Sequence, residues 1–377
     1  MKLATTTLVF CVAGLTALGL VMLSSASMTE TQARHLLLQP LWLALALLAC
    51  IVCAAGDYSW LKKVWWLIFA VAVALLVTVL VPTKFTPRIN GAHRWITFHG
   101  VGGQPSELAK LAFIIALAWY GERFQRRMDT LSKGLVIPGA GIAVVLGLIF
   151  LEPDWGTTLL LASVGVAMLL VAGVRWKFLV PPVILGLAGL LVALLHNPVR
   201  IARIFAWLHP EMYKDGKGYQ AYQAMIALGN GGWTGLGLGN GRQKLGFVPE
   251  HHTDFIFSII GEELGLVATL LVVLTFIVIV VCGIYIAWRA RDTFGLLLGC
   301  GLTLLIGLQA FINIGVVTSV LPNKGLPLPF VSYGGSNLIA MFAAVGLLLN
   351  IARHAFDAEK VRSPILGPGN MPSPQLS

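Results

Sequence analysis

Between Gly246 and Gly265 the chain reads GFVPEHHTDFIFSIIGEELG, a run that sets ionisable side chains just before and inside an apolar stretch. Only 11% of residues are charged and 57% are hydrophobic, so carboxylates at such a boundary are costly and mark a substrate, ion or catalytic site. Asp254 has the chemistry of a general base, because partial burial at a water–apolar boundary raises a carboxylate's pKa towards the working pH. Glu262 and Glu263 lie two turns further on, where a structural or proton-sharing role fits better. His251-His252-Thr-Asp254 resembles a metal cluster only superficially: adjacent histidines point different ways, and a three-ligand set with helical spacing is missing.

Other polar groups recur at the same kind of boundary. Gln104-Pro-Ser106-Glu107-x-x-Lys110 begins an apolar segment with good helix-start chemistry, and Glu107 meets the positive end of the helix dipole. Glu107 and Lys110 are three apart and share a face, so they form either a structural ion pair or a substrate contact. Glu152-Pro-Asp154-Trp-Gly-Thr-Thr is a tight turn in which Asp154 either caps the next helix, through Gly156 or Thr157, or meets substrate. Leu228–Gly241, LGNGGWTGLGLGNG, has no G-x-x-x-x-G-K-[ST] or G-x-G-x-x-G spacing and no preceding strand, which excludes a nucleotide site and leaves a flexible loop of close backbone approach. Leu321–Asn337, LPNKGLPLPFVSYGGSN, is extended by its prolines, and Ser336 suits a helix cap after the double glycine. Irregular backbone at membrane depth survives only where it lines a cavity or packs inside protein, so Lys324, Ser332 and Ser336 are candidate substrate contacts.

Positioning these residues falls to membrane helices. Mean hydropathy is +0.85 over the whole chain, and apolar runs of about 20 residues have the length that crosses hydrocarbon as a helix. Short alternating segments of the barrel type are absent, so the expected fold is an all-α polytopic membrane protein of about ten transmembrane helices. The spans run near Thr6–Ser24, Leu36–Ala55, Val64–Val81, Glu107–Tyr120, Leu135–Leu151, Thr157–Ala172, Phe178–Leu195, Phe255–Tyr285, Phe294–Leu321 and Ser336–Ile351. Spans eight and nine exceed the bilayer, which predicts tilt or extension. The first has signal-peptide traits, but its length favours a retained helix. Residues 1–356 form the transmembrane domain, with an extracytoplasmic loop near 196–254, and 357–377 read as a disordered cytoplasmic tail rich in Pro, Gly and Ser.

A cytoplasmic N-terminus puts Lys62, Lys63, Arg123, Arg126, Arg127, Lys133, Arg175, Lys177, Arg289, Arg291, Arg353, Lys360 and Arg362 inside, leaving only Arg34 and Lys324 in the short outer loops. The two long outer loops add Lys84, Arg88 and Arg94, then Arg200, Arg203, Lys214, Lys217, Arg242 and Lys244. Long loops cross regardless of charge, and these give a basic outer surface suited to an anionic ligand or lipid headgroup. All the cysteines fall in apolar spans; Cys50-x-x-Cys53 inside a helix reads as packing, and no disulfide framework is implied.

Taken together, QPSELAK, EPDWGTT, PEHHTDFIFSIIGEELG and LPLPFVSYGGSN resemble the SEDS (shape, elongation, division, sporulation) family, from the first span to Arg353. Within it, GLGLGNGRQKLGFVPE resembles the division branch, FtsW, or its sporulation relative SpoVE more than the elongation branch, RodA. The resemblance implies a glycosyltransferase that polymerises lipid II at the outer face of the bacterial cytoplasmic membrane, at the division septum. The family's catalytic Asp in H-T-D-F falls on Asp254, its R-W-I arginine on Arg94, and its P-S-E-x-x-K pair on Glu107 and Lys110; His251 departs from many relatives. Implied candidates for substrate binding are Arg94, Gln104, Ser106, Glu107, Lys110, Asp154, Lys244, Lys324, Ser332 and Ser336. A divalent cation, Mg or Mn, could share the work, though the sequence shows no dedicated cage and no metal ligands are assigned.

The implied partners are lipid II, membrane lipids, a class B penicillin-binding protein and other division proteins, with no nucleic acid. The residues present hold no soluble transpeptidase domain, so cross-linking is expected from that partner. Two rivals remain open: a lipid II flippase, compatible with intramembrane Glu107 and Lys110, and a non-catalytic division scaffold in which Asp254 is dispensable.

Overall fold

The computed structural model describes the chain except residues 27–32, 90–91, 99–100, 197, 215, 217, 245–252 and 363–377. Helices dominate: α1 (Lys2–Ala26), α2 (Ala33–Ala55), α3 (Leu61–Leu80), α4 (Pro105–Arg123), α5 (Ile137–Leu151), α6 (Trp155–Val171), α7 (Trp176–Leu195), α8 (Pro198–Leu208), α9 (Tyr219–Gly231), α10 (Ile256–Trp288), α11 (Thr293–Val317) and α12 (Gly335–Arg362). Among the described residues, eight helices are long and apolar enough to cross a membrane, and α6 is a shorter apolar helix. With α4, which Glu107 and Lys110 make less apolar, they account for the ten expected spans.

α12 forms the centre, buried along most of its length, whereas α7 is almost wholly exposed and forms the rim. α2 lies along α12, α10 packs on α1, α9 and α11, and α4 packs between α3 and α11. Without water to drive helices together, small residues let backbones approach. Gly346 of α12 sits so close to the Cys50 carbonyl and the Cys53 side chain that no Cβ fits. Asn350 Nδ2 donates one turn on to Cys53 O (2.7 Å) and Gly56 O (2.8 Å). Cys50 and Cys53 are therefore free thiols in a helix–helix seam, as the packing reading expects. At the end of the bundle away from Asp254, Lys62 bridges Glu122 and Asp292, both at 2.7 Å, and Tyr58 Oη donates to Asp292 at 2.8 Å. That cluster ties α3 and α4 to α11.

Four sequence expectations change. The loop before α4 carries two antiparallel hairpins, β1 (Arg88–Ile89) with β2 (Ala92–His93) and β3 (Ile96–Phe98) with β4 (Val101–Gly103). The long loop after α7 contains α8 and α9. α12 continues past Ile351 to Arg362, because the intervening residues carry no breaker until Pro364.

The fourth change concerns α10, which is not one long tilted helix. Gly265, at φ +77°, breaks it, and the glycine-rich segment after α9 fills the break. Leu266 N donates to Gly232 O (2.9 Å), Leu236 N to Glu262 O (3.0 Å) and Gly237 N to Glu263 O (3.0 Å). The backbone groups freed by the break are thus satisfied from outside the helix. The segment expected as a flexible loop is a packed splint.

Candidate functional site

Asp254 stands in the turn that opens α10, partly exposed, and its backbone is held from two sides. Asn313 Nδ2, on α11, donates to Asp254 O (2.8 Å) and to Leu326 O (2.7 Å). Ser332 Oγ donates to Thr253 O (2.6 Å) while accepting from Leu328 N (2.8 Å). The proline-spaced segment before α12 is therefore fastened to the turn. At Gly325 it comes so near that a Cβ would lie 2.5 Å from Asp254 Oδ2. A side chain there would displace the Asp254 carboxylate, which glycine leaves in place.

A second layer lies beneath. Lys110 Nζ pairs with Glu107 at 2.7 Å, both buried, and donates to Gln309 Oε1 at 2.8 Å. Gln309 Nε2 in turn donates to Pro327 O (3.0 Å) and Asn337 Oδ1 (2.9 Å). One polar chain thus runs from the α4 ion pair through α11 to the segment that touches Asp254. Gln309 and Asn313 were missed by sequence reasoning. The available signal was two amide side chains one turn apart, in a span that has no charge.

The N-terminal end of α4 joins a third group. Gln104 Nε2 donates to Asp154 Oδ2 (3.2 Å), and Gln104 N donates to Ser336 Oγ (3.3 Å). Asp154 also caps α6, accepting from Thr157 N (3.1 Å) and Thr157 Oγ1 (2.9 Å). The capping role and contact with the site's residues coexist. Ser336 accepts from α4 and so joins two elements. Ser106 is buried with its hydroxyl unpartnered. Arg94 turns to backbone, donating from Nε to Glu152 O (2.9 Å) and from Nη2 to Pro153 O. That leaves the Glu152 carboxyl buried with neither oxygen partnered among the described residues. Burial, and then the Asp154 charge, push Glu152 up to about 8, against the pull of Arg94. Sequence reasoning missed Glu152 as well.

Lys244 stands apart from this site. It is buried in an ion pair with Glu263 (2.7 Å), and Ser25 Oγ donates to the same carboxylate at 2.7 Å. Glu262 accepts from Arg242 N at 3.0 Å. The two glutamates therefore anchor the glycine splint and α1 to α10, and α1 belongs to the bundle. Lys324 adjoins Gly325, partly buried, and desolvation holds its ammonium below the usual lysine range. His251 and His252 lie outside the described residues.

A family model described as cell cycle protein, FtsW/RodA/SpoVE, matches residues 5–356. The chain is 40% identical over 348 residues to a probable peptidoglycan glycosyltransferase FtsW of Geobacter metallireducens, covering 90% of this chain and 92% of that protein. It is 39% identical over 363 residues to the protein of the same description from Coxiella burnetii, covering 92% and 95%. Among solved structures, a chain from work described as structural coordination of polymerization and crosslinking by a peptidoglycan synthase complex superposes with a TM-score of 0.77. It is 29% identical, with 93% and 97% covered. The rod shape determining protein RodA of Thermus thermophilus gives a TM-score of 0.68 at 27% identity, with 93% and 96% covered.

Proposed function

Because this chain belongs to the FtsW/RodA/SpoVE family of cell cycle proteins, we propose that it is a peptidoglycan glycosyltransferase that polymerises lipid II, acting in cell division. The observation that carries this reading is the presentation of Asp254. Asp254 stands partly exposed on a turn clamped by Asn313 and Ser332, with the backbone of Gly325 against its carboxylate. A general base needs a fixed position and some exposure to the group whose proton it takes.

In this reading Asp254 takes the proton from the C4 hydroxyl of the N-acetylglucosamine on the acceptor lipid II. The freed oxygen pair attacks the anomeric carbon of the donor's N-acetylmuramic acid. The anomeric C–O bond breaks and its electron pair leaves with undecaprenyl pyrophosphate. One displacement with one base inverts that carbon. The chain in the cytoplasmic membrane would expose Asp254 and residues 196–254 outside, keep both termini inside, and act at the septum. Its transmembrane domain would span 1–356, with the tail from 357. A class B penicillin-binding protein would supply cross-linking, in line with the synthase complex that the chain resembles.

The test is polymerisation of lipid II by the purified protein in detergent. Wild type is expected to make glycan chains, and Asp254→Asn to insert and fold but make none. The amide is nearly isosteric and cannot accept the proton, and losing a general base costs ~10²–10⁴-fold. Polymerisation by Asp254→Asn at more than about a tenth of the wild-type rate would remove Asp254 from this role. A folded wild type that makes no chains but moves lipid II across vesicles would favour a flippase, and one that does neither a scaffold.

A further inference from the structure

Lys324 immediately precedes Gly325, whose backbone lies against the Asp254 carboxylate, yet the two charges do not pair. The chain around it is pinned. Asn323 Nδ2 donates to Gln220 Oε1 (3.3 Å), and Leu326 O accepts from Asn313 (2.7 Å). The Lys324 ammonium itself makes no hydrogen bond or ion pair with any described residue, although it is partly withdrawn from water. Other cations near the site are occupied: Arg94 holds backbone carbonyls and Lys110 holds Glu107 and Gln309, while Lys244, apart from the site, holds Glu263. Arg203, Lys214 and Arg242 are exposed and pay no such penalty. A half-buried unpaired charge destabilises a fold, and desolvation already weakens its hold on its proton. Its retention beside the carboxylate is explained if an anion arrives there during function.

We propose that Lys324 is a catalytic residue that receives the pyrophosphate of the donor lipid as it leaves, next to the base Asp254 in the chain segment that Gly325 brings against it. The proposal rests on the glycosyltransferase reading above and adds the group that answers the developing negative charge. When the anomeric C–O bond breaks, its electron pair stays on the pyrophosphate oxygen. The ammonium neutralises that charge without moving a proton. Preorganised cations and donors are worth most where charge develops in a site poor in water.

The experiment has two arms on the purified full chain in detergent. The first follows thermal unfolding with and without inorganic pyrophosphate. The second measures lipid II turnover. Lys324→Met is expected to unfold at higher temperature than wild type without ligand, because an unpaired charge is gone, and to lose stabilisation by pyrophosphate. Its turnover at saturating lipid II should fall ~10²–10³-fold, the range for removing one such donor, with a smaller change in half-saturation. Lys324→Arg should recover part of both, and Lys324→Gln should reproduce the loss if the methionine variant does not fold. Lower unfolding temperature with activity falling in step, pyrophosphate stabilisation that persists without the ammonium, or turnover within tenfold of wild type would each overturn the assignment. A wild type that fails to polymerise overturns the glycosyltransferase reading instead, and the pyrophosphate arm still judges Lys324.

Discussion

Removing either member of the Glu107–Lys110 pair leaves a charge at a place almost without solvent, since Lys110 is fully buried and Glu107 is 4% exposed. Breaking a buried pair costs about 3–5 kcal/mol, so Glu107→Ala and Lys110→Ala should each lower both thermal stability and lipid II turnover. Glu107→Gln with Lys110→Met should recover part of the stability, and recovery without activity would show that the charges also serve positioning. Wild-type behaviour in either single variant would dissolve the pair. Glu152 yields a pH signature. Its carboxyl is raised from 4.5 to about 8, so between those values the folded state holds a proton that the unfolded state has lost. Stability should therefore fall as pH rises through that window. In thermal unfolding scans across it, Glu152→Gln should flatten this component of the slope, and an unchanged slope would show that Glu152 is ionised. Asp254 and the Glu107–Lys110 pair were legible because charge is rare in this chain. Gln309 and Asn313 were not, since an uncharged amide in an apolar run carries no sign of which carbonyl it will meet. Lys244 misled for a related reason: its partners, Glu263 and Ser25, lie far away in sequence.

At the level of elements, α10 is two half-helices that meet at Gly265. The half-helix from Ile256 to Leu264 carries the two glutamates, and only the part beyond Gly265 continues as an ordinary lipid-facing helix. Three glycines make the splint possible. Gly231 lies against Gly261 O, Gly235 against Glu263 O, and Gly265 against Gly235 N, each too near for a Cβ. Gly231→Ala should cost about 1–3 kcal/mol, as overpacking does, and reduce turnover along with stability. Gly139→Ala in α5 is the control, because nothing lies within 4 Å of the added carbon. Helix-favouring alanine should leave that variant at or slightly above wild-type stability. Equal unfolding temperatures for the two variants would mean that the splint is not packed. Glycine density in residues 228–241 was plain in the sequence, but a loop's own composition does not reveal that its backbone completes a helix in another segment. Span eight's excess length is the visible clue, and length alone reads as tilt or extension beyond the bilayer.

For the whole molecule, composition and hydropathy settled the class because burying helical backbone in hydrocarbon leaves few alternatives. They identified the ten spans, including α4, whose polar start is explained by burial among α3, α11 and α6. Sidedness comes from charge. An even number of spans puts both ends of the chain on one side, and the basic residues collect in the short loops of that side. The cluster of Lys62, Glu122 and Asp292 would then face the cytoplasm, and Asp254, Lys324 and the hairpins of β1 to β4 would face outward. In a cysteine-free background, single cysteines near Gly231 and near Gly367 report this directly in intact cells. A thiol reagent that does not cross membranes should label the first and reach the second only after permeabilisation. The consequence is chemical as well as topological. Lipid II displayed outside can reach Asp254 only in that orientation, so labelling near Gly367 from outside would overturn both the topology and the site's access to its substrate.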